Sequence, residues 1–475
     1  MSFNSFPFIF VFLPITLAGF FLFGRGVDRT WQKLWLLAVS LVFFAAGRLQ
    51  DLPLLLGSLA VNCAIAMYLV RGNGWLVLSH RALLIVGLAG NILFLCYFKY
   101  AAFLVQLVDR IFDAGIRVPH SSFPLGISFY TIYQIMFLVD CYEGLVEKHT
   151  WIDHFLFASL FSYVTMGPIV RWKQIMPQLD DPNGRRAQLD NVAAGLFVFV
   201  VGLFKKVVLA DSFFRWADAG FNYGHPLSFV GSWIAALAFA FQLYFDFSGY
   251  TDMAIGAALM LNIKLPQNFD APFRSRSIIE FWRRWHITLT NFITTYLYTP
   301  MIRSMARVTF GKMMLATFVA MVIAGFWHGA NWTFIAFGAL HGAALVLNQC
   351  WKKLKWQLPS PLAWLLTFAF VVVTLVFFNS RDVTQAAHIV QSMFSAHNGV
   401  FSYEPWSGID RVDQVAGIGW MLFGIAILYR APSSTELQRA FRPSWAMVTL
   451  TVALATVACI YTNGVVSRSF VYRDF

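Results

Sequence analysis

Charge is what this sequence has least of. Asp, Glu, Lys and Arg make up 12% of its 475 residues, against roughly 25% in soluble globular domains. Hydrophobic residues make up 59% and the mean hydropathy is +0.64. That excludes an ordinary water-soluble domain and implies an integral membrane protein. Alternation of apolar and polar residues is also missing, so helices are expected rather than a barrel. The five cysteines, Cys63, Cys96, Cys141, Cys350 and Cys459, form no CxxC pair. Most sit in apolar runs and read as small buried hydrophobes. No metal-ligand spacing, no GxGxxG fingerprint and no P-loop is present. There is no low-complexity linker and no polar stretch large enough for a soluble domain, so the chemistry belongs in or at the edge of a membrane. No internal repeat is visible, which argues against a transporter built from inverted halves.

What is present is aromatic and apolar. Phe occurs 50 times and Trp 17 times, as suits lipid-facing helices with aromatic belts. Apolar segments recur near 6–23, 34–47, 52–70, 82–108, 123–141, 153–170, 191–210, 228–261, 313–327, 331–350, 361–379, 415–430 and 445–466. Since a span needs about 20 residues, they imply an all-α polytopic protein with roughly eleven transmembrane helices plus re-entrant or interfacial pieces. Segment 228–261 is long enough for one tilted helix or for a span with an interfacial extension. The first 26 residues lack the basic start of a cleaved signal peptide and are expected to form a retained membrane helix. Arg25, Arg29 and Lys33 follow it at once, which places the N-terminus outside and residues 24–34 in the cytoplasm.

The formal charge of +12 is unevenly spread. Residues 264–312 hold Lys264, Arg274, Arg276, Arg283, Arg284, Arg303, Arg307 and Lys312 against Asp270 and Glu280, a net +6. With so little water-facing surface this is no nucleic-acid binder. The block reads as a cytoplasmic face, able to contact anionic lipid or a polyanionic substrate. From Lys312 to Lys352 no charged residue intervenes, so 313–350 enters the bilayer and returns. Inside that stretch lies "AGFWHGANWTF", with His328 at the turn. Residues 313–327 rise about 22 Å at 1.5 Å each, which puts His328 toward the far side of a core about 30 Å thick. An ionisable group at that depth is a functional candidate by default. Asp246 and Asp252, in "YFDFSGYTD", fall on different helix faces. Asp246 is expected to meet a buried partner such as an arginine of the next loop. His341 would point away from His328 on a continuous helix and reads as structural or tunnel-wall. His80, His120, His149, His154, His225, His388 and His397 lie in or near polar loops and form no cluster.

Three stretches carry a family resemblance: "QLYFDFSGYTDMAIG" at 242–256, "PQNFDAPFRSRSIIEFWRRWHITLTNFITTYLY" at 266–298 and "GFWHGANWTFIAFGALHG" at 325–342. Further echoes are "FIFVFLP" at 8–14, "YFKY" at 97–100, "PLGISFYT" at 124–131, "GPIVRW" at 167–172, "GLFKKVVLAD" at 202–211 and the final "FVYRDF". Their shared order resembles the membrane-bound O-acyltransferase family, and most closely its bacterial alginate O-acetyltransferase and D-alanyl-lipoteichoic-acid branch. The resemblance implies one integral-membrane domain over 1–475, a core near 120–350, a helical funnel or tunnel, and an acyl-thioester donor entering from the cytoplasm. Two family histidines match His328 and His286.

Neutral imidazole suits the removal of an acceptor hydroxyl proton. His328 is therefore assigned as general base, desolvated among Trp327, Trp332 and Phe326. His286 is assigned to the cytoplasmic side of the tunnel, assisting donor binding or catalysis. Acetyl-CoA as donor carries phosphates, which guanidinium groups bind bidentately, so Arg274, Arg276, Arg283 and Arg284 are its candidate receivers. Trp327, Asn331 and Trp285 are assigned to the tunnel, and no metal is expected. After "FWRRWH" the sequence departs from the alginate branch: an Arg-Asp-Tyr and a Gly-Gly-Asn-Arg turn are replaced by "NFITTYLYTPMIRSMARVTFGK". The acceptor therefore widens to exopolysaccharides including cellulose. The expected protein is a multi-pass acetyltransferase of the bacterial inner membrane, working with a periplasmic acetyltransferase partner. Alternatives are a D-alanyl or lipid O-acyltransferase of the same family, or a transporter or flippase without chemistry.

Overall fold

The computed structural model describes residues 1–26, 29–71, 79–113, 115, 123–401, 411–464 and 470; His120 and all of the terminal "FVYRDF" except Phe470 lie outside them. Among the described residues every regular element is helical. In chain order these are α1 (Phe8–Gly24), α2 (Thr30–Gly47), α3 (Leu52–Arg71), α4 (His80–Phe112), α5 (Ile127–Tyr142), α6 (Trp151–Ser159), α7 (Trp172–Leu179), α8 (Leu189–Phe221) and α9 (Phe229–Met260). They continue with α10 (Ile278–Arg284), α11 (Ile287–Phe292), α12 (Phe310–His328), α13 (Trp332–Lys353), α14 (Ser360–Asn379), α15 (Val383–Phe394), α16 (Arg411–Arg430), α17 (Ser434–Ala440) and α18 (Trp445–Gly464). Nine helices among the described residues are long and apolar enough to cross a membrane, or ten if the bent pair Val415–Arg430 and Ser434–Ala440 is one span. The expected count of about eleven is reached only by adding the shorter apolar helix Phe8–Gly24.

The helix ends sort into two faces, and long-range hydrogen bonds show which ends meet. On one face Lys33 joins Asp153 at 2.6 Å and Asp180 at 2.7 Å. There too the Gln178 side chain pairs with both backbone groups of Lys264, Asn262 reaches the Arg186 carbonyl, Gln267 reaches Gln438 and Arg276 reaches Ser360. The basic residues of 171–186 and 264–284 lie here, and we call it the basic face. On the opposite face the Leu125 amide donates to Asp51 at 2.8 Å, Gln385 to the Phe221 carbonyl at 2.6 Å and Asn331 to the Arg381 carbonyl at 2.8 Å.

α9 is the axis of the fold. Its 32 residues form one unbroken helix, as segment 228–261 implied, and nearly every side chain from Ile234 to Met260 is buried. α8 lies against it at glycine positions: a methyl group on Gly195 would meet the Gly256 carbonyl, and one on Gly249 the Gly202 carbonyl. Small residues at such a contact let two backbones approach closely in lipid.

This contact also resolves the paired carboxylates. Asp246 meets Lys206 at 2.7 Å and Asp252 meets Lys205 at 2.8 Å, so the partner of Asp246 is a lysine of α8 and not an arginine of the following loop. The two lysines sit where α8 widens into a π-helical turn, Lys205–Ala210, and turn to opposite sides of α9. Lys206 also holds Asp211 at 2.8 Å. These are paired charges in the protein interior, where either partner alone is costly.

Candidate active site

His328 is the last residue of α12, which carries it to the end of the helix remote from the basic face. The chain then turns through Gly329 and Ala330, and Asn331 caps α13 by accepting from the Thr333 amide at 3.1 Å. The α12–α13 hairpin closes tightly because a methyl group on Gly325 would collide with the Phe334 carbonyl and the Gly338 backbone. The imidazole is 3% exposed. Its neighbours are the rings of Trp327 at 5.1 Å, Phe378 at 5.2 Å, Phe337 at 6.4 Å and His286 at 6.5 Å. Of the three aromatics expected around it, only Trp327 is there. Phe326 stacks on Tyr100, and Trp332 is 48% exposed and touches Phe103. Burial comes instead from α14, which the local sequence cannot reveal.

His286 comes from the basic segment, and its ring lies 6.5 Å from that of His328. It joins α10 to α11 in a left-handed conformation, φ 43° and ψ 51°, uncommon for a residue with a Cβ and typical of strain held at functional sites. Its Nδ1 lies 3.1 Å from Asn268 Oδ1. That oxygen also accepts from the Thr288 hydroxyl at 2.9 Å and the Thr288 amide at 3.2 Å. An oxygen gathering donors in this way assigns the proton of the neutral ring to Nδ1. Nε2 is then the basic nitrogen, with no hydrogen-bond partner among the described residues. Two buried imidazoles facing each other across a small gap, one with a fixed tautomer, suit proton transfer during acyl transfer.

A cavity lies on each side of the site, and neither is lined by His286 or His328. Thr288 accepts a hydrogen bond from the Ile169 amide at 2.9 Å. Both residues line a cavity of about 230 Å³ with Arg171, Lys173, Asn291 and Tyr296. Arg171 is held there by the Tyr296 hydroxyl at 3.0 Å and by Asp140 at 3.6 Å. The other side holds a cavity of about 400 Å³ lined by Lys206, Asp211, Gln242, Asn379 and Arg381, among others. Asn379 directly follows Phe378, the ring that covers His328.

The remaining candidates separate. Arg274 donates to the carbonyls of Leu428 (3.1 Å) and Ala431, and so ties the end of α16 to the basic segment. Arg276 reaches Ser360, and Arg284 pairs with Glu280 at 2.9 Å; Arg283 is exposed. Trp285 is buried between Phe269 and Phe281, and Asn331 serves as the helix cap. His341 is structural: Trp282 donates to its Nδ1 at 3.2 Å, and its Nε2 pairs with Thr374 at 2.9 Å. His154 is fully buried against Phe137 and does not belong to a polar loop. Among the described residues no His, Cys, Asp and Glu grouping could hold a metal ion.

Four residues of the site escaped the sequence reading: Asn268, Thr288, Lys99 and Tyr100. The first two lie within the quoted 266–298 stretch. The Tyr100 hydroxyl donates to the Phe326 carbonyl at 3.1 Å and the Lys99 ammonium to the Trp327 carbonyl. Lys99 is the sole basic residue between Arg81 and Arg110, the same signal that singled out His328.

Residues 120–381 match the membrane-bound O-acyltransferase family. The peptidoglycan O-acetyltransferase of Helicobacter pylori is 34% identical over all of this chain and 98% of its own length. A probable alginate O-acetylase of Pseudomonas aeruginosa is 36% identical over 93% of this chain and 84% of its own. The teichoic acid D-alanyltransferase of Bacillus subtilis is 27% identical over 55% of this chain and 70% of its own.

Proposed function

The chain belongs to the membrane-bound O-acyltransferase family and is a multi-pass membrane O-acyltransferase, and we propose that it moves acetyl from cytoplasmic acetyl-CoA across the bacterial inner membrane for O-acetylation of an exported polysaccharide. The observation that carries this reading is the buried His286–His328 pair, with ring centroids 6.5 Å apart at the end of a membrane helix. A net positive face is expected to be cytoplasmic, which brings the donor in from that side. The acceptor glycan is of the alginate or cellulose type. Peptidoglycan joins that range because the relative named for it aligns with the whole chain.

In this reading His328 takes the proton of the acceptor hydroxyl as the oxygen attacks the thioester carbonyl. A C–O bond forms, the C–S bond breaks, and the departing thiolate recovers the proton. His286, its Nδ1–H fixed on Asn268, presents Nε2 to the same reacting centre. Arg283, Arg284 and Arg276 are the proposed phosphate contacts, while Arg274 is held by the Leu428 and Ala431 carbonyls. Trp327, Asn331 and Trp285 shape the passage. A periplasmic partner with a serine nucleophile takes the acetyl group onward to the glycan.

The test is reconstitution in vesicles, with labelled acetyl-CoA on the basic side and glycan oligomers on the other. Transfer is expected only with a serine acetyltransferase partner added. His328→Ala should lower it by about 10²-fold or more while the protein stays folded. Near-normal transfer by that variant removes the base assignment, and efficient transfer without a partner removes the relay. If acetyl-CoA is never consumed but a D-alanyl carrier protein is, the alternative within the family holds.

A further inference from the structure

Lys99 is an ionisable side chain on a membrane helix. It is the twentieth residue of α4 counted from His80, and His328 is the nineteenth of α12 counted from Phe310. Both helices start at the basic face. At about 1.5 Å per residue both side chains arise roughly 28 Å along their helices, deep in the membrane. The Lys99 ammonium donates to the Trp327 carbonyl and, at 3.1 Å, to the Ser128 hydroxyl. It lies 5.4 Å from the centre of the Phe123 ring and 5.5 Å from that of Trp327. Among the described residues no carboxylate pairs with it.

The last carbonyls of a helix lack intrahelical partners, and a cation there suits the helix dipole. Yet a hydroxyl would satisfy a carbonyl without placing an amine in the membrane, and Tyr100 does so for Phe326 one residue earlier. A lysine at membrane depth is costly unless it serves function. Its two contacts with Trp327, through the backbone carbonyl and through the indole, fix the residue that precedes His328. Tyr100, stacked on Phe326 at 4.2 Å, steadies the turn before it.

We propose that Lys99 is a positioning residue for acyl transfer: it clamps Trp327 from α4 and thereby holds the His328 imidazole in place opposite His286. This rests on the assignment of His328 as the base. Arginine in its place keeps a charge and donors, whereas methionine keeps length and loses both.

The experiment compares wild type, Lys99→Met, Lys99→Arg and Ser128→Ala as full-length purified protein, each checked for monodispersity and thermal unfolding. In the vesicle assay Lys99→Met should lower kcat about 10-fold or more with donor KM changed less than about 3-fold. Lys99→Arg should recover a large part of kcat, and Ser128→Ala should lose little. A second measurement needs no donor: carbethoxylation of His328 by diethyl pyrocarbonate, followed by mass spectrometry, should be about 3-fold or more faster in Lys99→Met, whose imidazole is less firmly held. Unchanged carbethoxylation together with kcat within 2-fold of wild type, a KM effect alone, or equal collapse of folding in both Lys99 variants would overturn the proposal. A wild type that consumes no acetyl-CoA strikes the donor reading instead, and the carbethoxylation comparison still decides the role of Lys99.

Discussion

His286 and His328 face each other with ring centroids 6.5 Å apart, although one follows a short helix of the basic segment and the other ends a membrane helix. The segment that begins among the arginines of the basic face therefore dips inward until its histidine reaches the end of α12. Asn268, fully buried, secures that dip. The Ile287 amide bonds the Asn268 backbone carbonyl at 2.9 Å while the side-chain oxygen collects His286 and Thr288.

Asn268→Ala removes the acceptor that fixes the His286 tautomer. Acyl transfer should fall about 10-fold and stability by about 1–3 kcal/mol, the cost of leaving buried donors unpaired. His286→Ala should lose about 10²-fold or more in transfer. Transfer rates and thermal unfolding in detergent measure both. An Asn268→Ala protein that is destabilised but fully active would show that Asn268 supports the fold alone.

The arginines are expected to divide. Reversing charge at Arg283 and Arg284 together should raise the apparent donor KM more than it lowers the saturated rate, with an effect that shrinks at higher salt. Arg274→Ala should behave differently. Its guanidinium is spent on the Leu428 and Ala431 carbonyls, so the loss should be in thermal stability. Donor titrations at two ionic strengths, beside melting curves, separate the two. An unchanged donor KM after the double reversal would make those residues ordinary charges of the basic face.

Lys206→Met removes the lysine that Asp246 and Asp211 share in the interior. Removing one partner of a buried ion pair typically costs about 3–5 kcal/mol, so the variant should melt well below wild type. Adding Asp246→Asn to it should restore part of the loss, because neighbouring substitutions in one network do not add. Full additivity would show that the pair is not energetically coupled.

The sequence by itself determined that this is a helical membrane protein with one strongly basic face, because apolar run length and charge placement are local properties that a bilayer reads segment by segment. It also carried His328, since an ionisable group in a charge-free run is visible without any structure. The same signal marked Lys99 between Arg81 and Arg110, but a lone lysine acquires meaning only from what it touches. Packing decided the rest. Phe378 and not Trp332 covers His328 because α14 packs along α13 and brings its last turn against Phe334 and Phe337. Lys206 and not an arginine meets Asp246 because glycines let α8 approach α9. His286 reaches His328 because a left-handed residue on a buried asparagine turns the basic segment inward. Each of these contacts joins residues far apart in the chain, and the geometry that brings them together depends on how whole helices fill space against one another, which no single stretch of sequence contains.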